Sequence, residues 1–486
     1  MAERADALRA SIAELADLHA ALRVLQYDQQ TAMPPAGAPA RGEAIATLAR
    51  LEHERLTSDE LAELIAAADR DDPVVRVLAR DAEKARRVPA ELVAAMARAG
   101  VEGQAAWQVA RPASDFAAVR PHLERHVELH REYAACFADE VSEPYDALLD
   151  DYEPGMSTDE VRAAFAPLRV RLPQLVAQAA EHAAPPLAGT FPIAAQRAVV
   201  GALLARVGFD PGSWVLGESA HPFSSKVHAG DNRITTRYAE DNLDSIPSAL
   251  HEFGHGLYEA QIAPALRRTP ADDGASMALH ESQSRLWEVF VGGSLAFWRG
   301  AWPLMSVGLG GAIEGVTPER FVAAIGGVRP SLIRVEADPV SYPLHIVLRF
   351  DLELALISGE LAVADLPAAW NDGMAALLGV TVPDDRRGVL QDVHWPSGSF
   401  GYFPTYALGT VLAAQIWAAA REALPDLDER IEAGDLAPLR DWLGERIHRH
   451  GRTLEPAELI RSALGTGLDA GPYLAFAERR AGGGER

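Results

Sequence analysis

Cysteine is all but missing: Cys136 is the single thiol in 486 residues. One thiol cannot form an internal disulfide, which excludes a disulfide-stapled fold and fits a reducing compartment, so a cytoplasmic location is expected. Positive charge is also scarce. Lys and Arg number 45 against 69 Asp and Glu, a formal net charge of −24. That balance argues against a general nucleic-acid binder or a protein that sits on anionic membranes, both of which need clustered cations. Any anionic ligand would need a local cationic pocket. Long apolar runs are absent as well. The most apolar zone, 289–313, is interrupted by Arg299, Pro303 and several glycines. Neither half reaches the roughly 18 residues a membrane span requires, so it reads as buried core. The opening stretch "MAERADALRASIAEL" is charged throughout and is not expected to act as a signal peptide.

What is abundant is helical periodicity. Leu8, Ile12, Leu15, Leu18, Leu22 and Leu25 fall at spacings of three and four, a stripe for burial. Further amphipathic segments are expected over about 40–69, 73–110, 114–151, 158–182 and 195–207, separated by Pro, Gly or Asx signals. One region reads as β: "HPFSSKVHAGDNRITTRYAED", 221–241, with a turn at Gly-Asp-Asn. Helices resume at about 245 and continue, past a loop near 383–404, to a tail "RRAGGGER" expected to fray. The expectation is a mostly α protein with a small sheet inserted before the helix at 245. Length alone suggests two or three domains.

That helix carries "HEFGH", 251–255. Histidines four apart project from one face, so two imidazole nitrogens can meet one ion at about 2.0–2.1 Å. Glu252 lies about 100° round the helix, where its carboxylate can take a proton from water that the ion has made more acidic. This composition yields about 0.04 chance matches to the pattern. Gly254 and Gly256 weaken a helix, by about 1 kcal/mol each against Ala, and suggest close approach of another backbone. A third ligand must come from another segment, because Glu259 lies about 12 Å along the helix from His251. Glu281, in "SMALHESQSRLWEVF", is the best candidate, on a helix that could cross the first. His280 cannot share its face and could orient the site or the substrate. Two other histidine groups read as inert: His122, His126 and His130 as a helix face, and His448 with His450 as a terminal basic patch.

These motifs, with others, resemble the carboxypeptidase Taq family of metallocarboxypeptidases. The matching stretches are "HPF" (221–223), "DNRIT" (231–235), "HEFGH" (251–255), "HESQ" (280–283), "IRVEAD" (333–338) and "GVLQDVHW" (388–395). The N-terminal "LQYDQQTAMPPAGAPARGEAIATLARLEHERLTS" and the later "YPLHIVLRFDLE" and "FGYFPTYALG" also look like the family, so the likeness is nearly chain-long. It implies a large helical metallopeptidase fold with a long central groove. It implies one zinc or similar divalent ion (Zn2+, or Co2+) per subunit, removal of C-terminal amino acids from peptides, and a homodimer. It makes His251, His255 and Glu281 the metal ligands and Glu252 the general base. It also replaces the two- or three-domain estimate by a single unit over 1–486, with an N-terminal helical part to about 215 and a catalytic part over about 216–486.

The chemistry then asks for further groups. Tyr406 and His394 are candidates to stabilise the oxyanion, with Asp392 supporting an imidazole. A free C-terminal carboxylate in so acidic a protein calls for arginine, whose planar fork pairs with it bidentately. Arg334, Arg349 and Arg233 are candidates in that order, each with an internal acid as the competing partner, and His221 could touch the substrate backbone. The segment "PSGSFGYFPTY", 396–406, reads as a mobile, substrate-covering loop that carries Tyr406. Two alternatives stand beside this reading: an endo-acting metallo-oligopeptidase with the same metal set, and a helical binding protein that does not catalyse.

Overall fold

The computed structural model of the protein describes residues 2–180 and 182–482. Among these, helices α1 to α9 span Ala2–Thr31, Ala38–Leu56, Asp59–Ala66, Pro73–Arg87, Ala90–Ala113, Phe116–Ala135, Pro144–Leu149, Thr158–Ala180 and Ile193–Val207. Three strands follow, β1 (Trp214–Glu218), β2 (Ser224–His228) and β3 (Asp231–Thr236). Helices α10 to α15 then span Ser245–Ala260, Met277–Arg285, Leu295–Leu309, Pro318–Ile325, Tyr342–Ser358 and Leu366–Leu378. The last five, α16 to α20, are Pro404–Ala423, Leu427–Ala433, Ala437–Arg446, Pro456–Leu464 and Gly471–Ala481. The mostly α reading with a small sheet ahead of the HEFGH helix therefore holds.

Several expected helices are each two. The segment 40–69 breaks at Ser58, whose hydroxyl accepts the Leu61 amide and starts α3. Pro89 parts α4 from α5, and Pro144 opens α7 after a turn. The sheet has one strand more than expected, and its order is β1-β3-β2. β1 runs parallel to β3, pairing Trp214 with Asn232, whereas β2 is antiparallel to β3. "WVLGE" lacks a clean alternation of buried and exposed residues, so no period of two marked it. The turn between β2 and β3 is Ala229-Gly230, one step earlier than Gly-Asp-Asn. At the C-terminus Arg479 to Ala481 belong to α20 and Gly482 caps it, while 483–486 of the expected frayed tail lie outside the described residues.

One hydrophobic core runs from Val88 to Ala477 and includes much of 289–313, with Phe297, Trp298 and Met305 buried. A second, smaller core gathers Leu8 and Ile12 of α1 with Leu61, Ile65, Val75 and Leu78. Cys136 is partly exposed rather than buried. No helix among the described residues is long and apolar enough to cross a membrane. For the site, the important packing is local: α11 crosses α10 and lies along α16, while β3 backs α10.

Candidate metal centre

Helix α10 starts after Asp244, with Pro247 in its first turn, and ends before Gln261. Helix α11 starts at Ser276, whose hydroxyl accepts the Leu279 amide at 3.2 Å. The two helices cross almost backbone to backbone. A Cβ at Gly254 would stand 2.4 Å from the Gln283 carbonyl oxygen, so only glycine permits the approach. Gly256 has a different neighbour, the Trp214 indole rather than a backbone. The crossing brings His251, His255 and Glu281 together, with one donor atom of each within 4.8 Å of the others. Both Nε2 atoms face Glu281 Oε2, at 3.6 Å from His251 and 3.5 Å from His255.

The Nδ1 atoms point outward and are engaged. His251 Nδ1 donates to Glu288 Oε2 at 2.8 Å, and Arg285 bonds both Glu288 (3.1 Å) and Glu281 (2.9 Å). His255 Nδ1 meets His280 Nδ1 at 2.5 Å. The Nδ1 contacts thus hold both rings with Nε2 turned toward Glu281. Burial opposes charge throughout, and the neighbours decide the outcome. Burial pulls His251 down, but Glu281 and Glu288 outweigh it and raise it to about 9. His255 is lowered to about 4, burial dominating. Glu281 is held well below the usual carboxylate range: burial raises it, and His251 and Arg285 overcome that. Glu252, buried beside them, is pushed up by burial to about 7. A deprotonated carboxylate and two inward nitrogens, all within reach of one point, are a donor set suited to a divalent cation.

The sequence comparisons agree with that geometry. The family model for the carboxypeptidase Taq (M32) metallopeptidases matches residues 7–481. The chain belongs to this family. It is a metallocarboxypeptidase, a peptide hydrolase, and the family implies a divalent metal. Thermostable carboxypeptidase 1 of Thermus thermophilus is 39% identical over 478 residues, covering 93% of each chain. Carboxypeptidase 1 of Bacillus subtilis is 35% identical, covering 92% of each. The crystal structure of the M32 carboxypeptidase from Deinococcus radiodurans R1 superposes with a TM-score of 0.96 at 36% identity, covering 99% of each chain.

A second buried cluster of this M32 chain surrounds Asp392. Its Oδ1 accepts from Arg334 Nη2 and Nε at 2.8 and 3.0 Å, and its Oδ2 from Arg349 Nε and Nη2 at 2.8 and 2.5 Å. Arg349 is fully buried and also bonds the His345 carbonyl and Gln391, so it is a structural partner and not an open reader of carboxylate. Arg334 is nearly as buried, yet its guanidinium lies 5.0 Å over the Tyr406 ring and bonds the Tyr342 hydroxyl. Arg285, partner of Glu281, stacks 4.2 Å over the Tyr342 ring. Arg233 is paired bidentately with Asp231 at 2.7 and 2.8 Å, the internal acid anticipated for it, and lies over Tyr27. His221 is exposed, and among the described residues no side-chain hydrogen bond ties it to the metal cluster.

His394 Nε2 lies 3.2 Å from the Tyr406 hydroxyl, which joins those two candidates. Burial lowers His394 to about 4 and raises the Tyr406 phenol far above its ordinary value, so both are neutral near pH 7. Asp392 stands 4.0 Å from His394 Nδ1, beyond a hydrogen bond, because the arginines occupy both its oxygens. The loop before Tyr406 differs from the expected mobile cover. His126 donates to the Pro396 carbonyl and His130 to the Gly398 carbonyl, at 3.0 and 2.8 Å. Glu353 accepts from Trp395 Nε1, Tyr145 and the Gly401 amide. The histidine face read as inert therefore fastens this loop. His448, read as part of a basic patch, is buried between Gln261 and Gln283. Glu288 escaped the motif reading, although its seven-residue spacing from Glu281 placed it on the same side of a helix.

Proposed function

We propose that His251, His255 and Glu281 hold one divalent cation, zinc in the first instance, and that Glu252 is the general base of C-terminal peptide hydrolysis. The observation that carries this is the convergence of both Nε2 atoms on Glu281 Oε2. Two imidazoles and a carboxylate with a position to spare is the ligand pattern of catalytic zinc, and cobalt accepts the same donors. Such an ion supplies Lewis acidity, which acidifies water and polarises a scissile carbonyl.

The chain's own groups do the rest. Glu252 takes the proton of the attacking water and delivers it to the leaving amine nitrogen. Tyr406 donates to the oxygen on which charge develops, its hydroxyl oriented by His394. Arg334 receives the substrate's terminal carboxylate: Asp392 and Tyr342 engage part of its fork and leave N–H groups free. His280 and Glu288 fix the ligand imidazoles. The family resemblance supports a homodimer and a single working unit over 1–486. The lone cysteine supports a cytoplasmic setting.

The test is a panel of chromogenic peptides with free or amidated C-termini, run with and without a chelator. Chelation should abolish hydrolysis, zinc or cobalt should restore it, and amidation should remove nearly all of it. Chelator-resistant activity contradicts the metal assignment.

A further inference from the structure

The two ligand histidines are supported unequally. His251 leans directly on Glu288, one turn beyond its partner Arg285. His255 leans on a second histidine, and His280 leans in turn on Glu259, whose Oε1 lies 3.5 Å from His280 Nε2. Glu259 is buried, and among the described residues no hydrogen bond reaches its Oε2. A buried carboxylate in that state needs a nearby cation.

The cation comes from α1. Arg23 places Nη1 3.7 Å from Glu259 and Nη2 2.9 Å from Asp273, while Nη1 also donates to the Lys226 carbonyl at 2.8 Å. Leu8 and Ile12 of α1 pack in the small second core, while Tyr27, one turn beyond Arg23, packs against Phe223 beside β2. His280 itself has little room. A Cβ at Gly274 would stand 2.8 Å from its Cδ2, and its ring packs 4.6 Å from that of His255 and 5.5 Å from that of Tyr258. The ring is held by packing, but its hydrogen-bond polarity is set by Glu259. With Nε2 of His255 turned to the ion, Nδ1–H donates to His280 Nδ1, and His280 Nε2–H then points at Glu259.

We infer that Arg23 is a positioning residue of the metal centre, acting through Glu259 and His280 on His255. Without its guanidinium, Glu259 loses its arginine partner and turns away, and His280 loses the acceptor that orders the chain of hydrogen bonds. The inference rests on the metal-site reading above and is tested on binding rather than turnover.

The experiment titrates the apo protein with Co2+, reading affinity by chelator competition and ligand geometry by the visible cobalt absorption. The variants are Arg23→Met, Arg23→Lys, Glu259→Gln and Arg268→Met. Arg268 pairs with Asp17 at the exposed side of α1, away from Glu259 and His280, so its loss removes an arginine pair of α1 and leaves the relay in place. Arg23→Met should bind cobalt about tenfold more weakly with a shifted band, as loss of an outer-shell partner does. Arg23→Lys should recover much of the affinity, Glu259→Gln should match Arg23→Met, and Arg268→Met should match the wild type. If Arg23→Met does not fold, Glu259→Gln, nearly isosteric, decides by the same readout. Wild-type affinity and spectrum in Arg23→Met, or in Glu259→Gln where Arg23→Met does not fold, overturns the inference. Equal weakening in Arg268→Met overturns it too, and both leave the metal site standing. Wild-type protein that takes up no ion overturns the metal-site reading itself and the inference with it.

Discussion

The metal cluster and the arginine cluster both bury charge, but they close in different ways. Around Asp392 both carboxylate oxygens are filled by two guanidiniums at 2.5–3.0 Å, with Tyr342, Gln391 and a backbone carbonyl taking further donors. The Asp392 carboxylate is fully engaged by the protein itself. Around Glu281 the two Nε2 atoms stop at 3.5–3.6 Å from the nearest oxygen, while every outward atom of the same rings is bonded at 2.5–2.8 Å. The satisfied side faces the protein and the unsatisfied side faces a common point. One cluster therefore ties its helices and loop together, and the other turns two nitrogens and a carboxylate toward one point, a donor set suited to the divalent metal the family implies.

The difference can be broken most sharply at Glu252. A Glu252→Gln variant should lose about 10²–10⁴-fold in kcat, the usual share of a general base, and still bind one ion per chain; steady-state kinetics with metal analysis checks both. Next in size is Asp392→Asn, which leaves two buried guanidiniums short of a counter-charge. Unfolding in urea should show a loss of about 3–5 kcal/mol, with metal affinity retained. Arg334→Met separates the two duties of that cluster: KM for free-acid peptides should rise, whereas the Co2+ spectrum stays as in the wild type. Smaller again is Gly254→Ala. The added Cβ pushes α11 off α10, so stability should fall by about 1–3 kcal/mol and the metal affinity should fall with it.

A different kind of effect, a slope with pH, concerns Glu153, which accepts the Ala278 amide at the start of α11. Burial raises its carboxyl from the ordinary 4.5 to about 8, against the pull of Ser276 and that amide. Its folded-state value lies above the unfolded one, so the folded state binds the extra proton. This group's stabilising share is full below about pH 4.5 and is lost as pH rises toward 8. Glu153→Gln should flatten that slope, which is at most about 1.4 kcal/mol per pH unit, in thermal melts from pH 5 to 8.

How much of this could be read without coordinates follows from the range of each signal. His251, His255 and Glu252 are a pattern within five residues of one helix, and helical geometry alone puts them together. Glu281 is harder, since the pattern says only that a ligand must come from elsewhere; its place on the next long helix made it the best candidate, and the resemblance to a family then made it a ligand. Glu288 was within reach, being seven residues on, but a π-helical stretch over Leu286–Val291 alters the local phase. Arg23, Glu259 and Asp273 meet across more than two hundred positions, and no period or spacing records such a meeting. The same holds for His126 and His130, whose partners are carbonyls of a loop some 270 positions away. Glycine and serine in that loop suggested mobility, but its Trp395, Phe400 and Phe403 are buried and its backbone is bonded. Composition describes what a loop could do alone, and tertiary partners decide what it does.

The most direct measurement is the metal stoichiometry of Glu281→Gln beside that of Glu252→Gln and the wild type, by equilibrium dialysis with elemental analysis. One divalent ion per chain should be found in the wild type and in Glu252→Gln, and substantially less in Glu281→Gln. An ion held as tightly after Glu281→Gln as before would contradict the account.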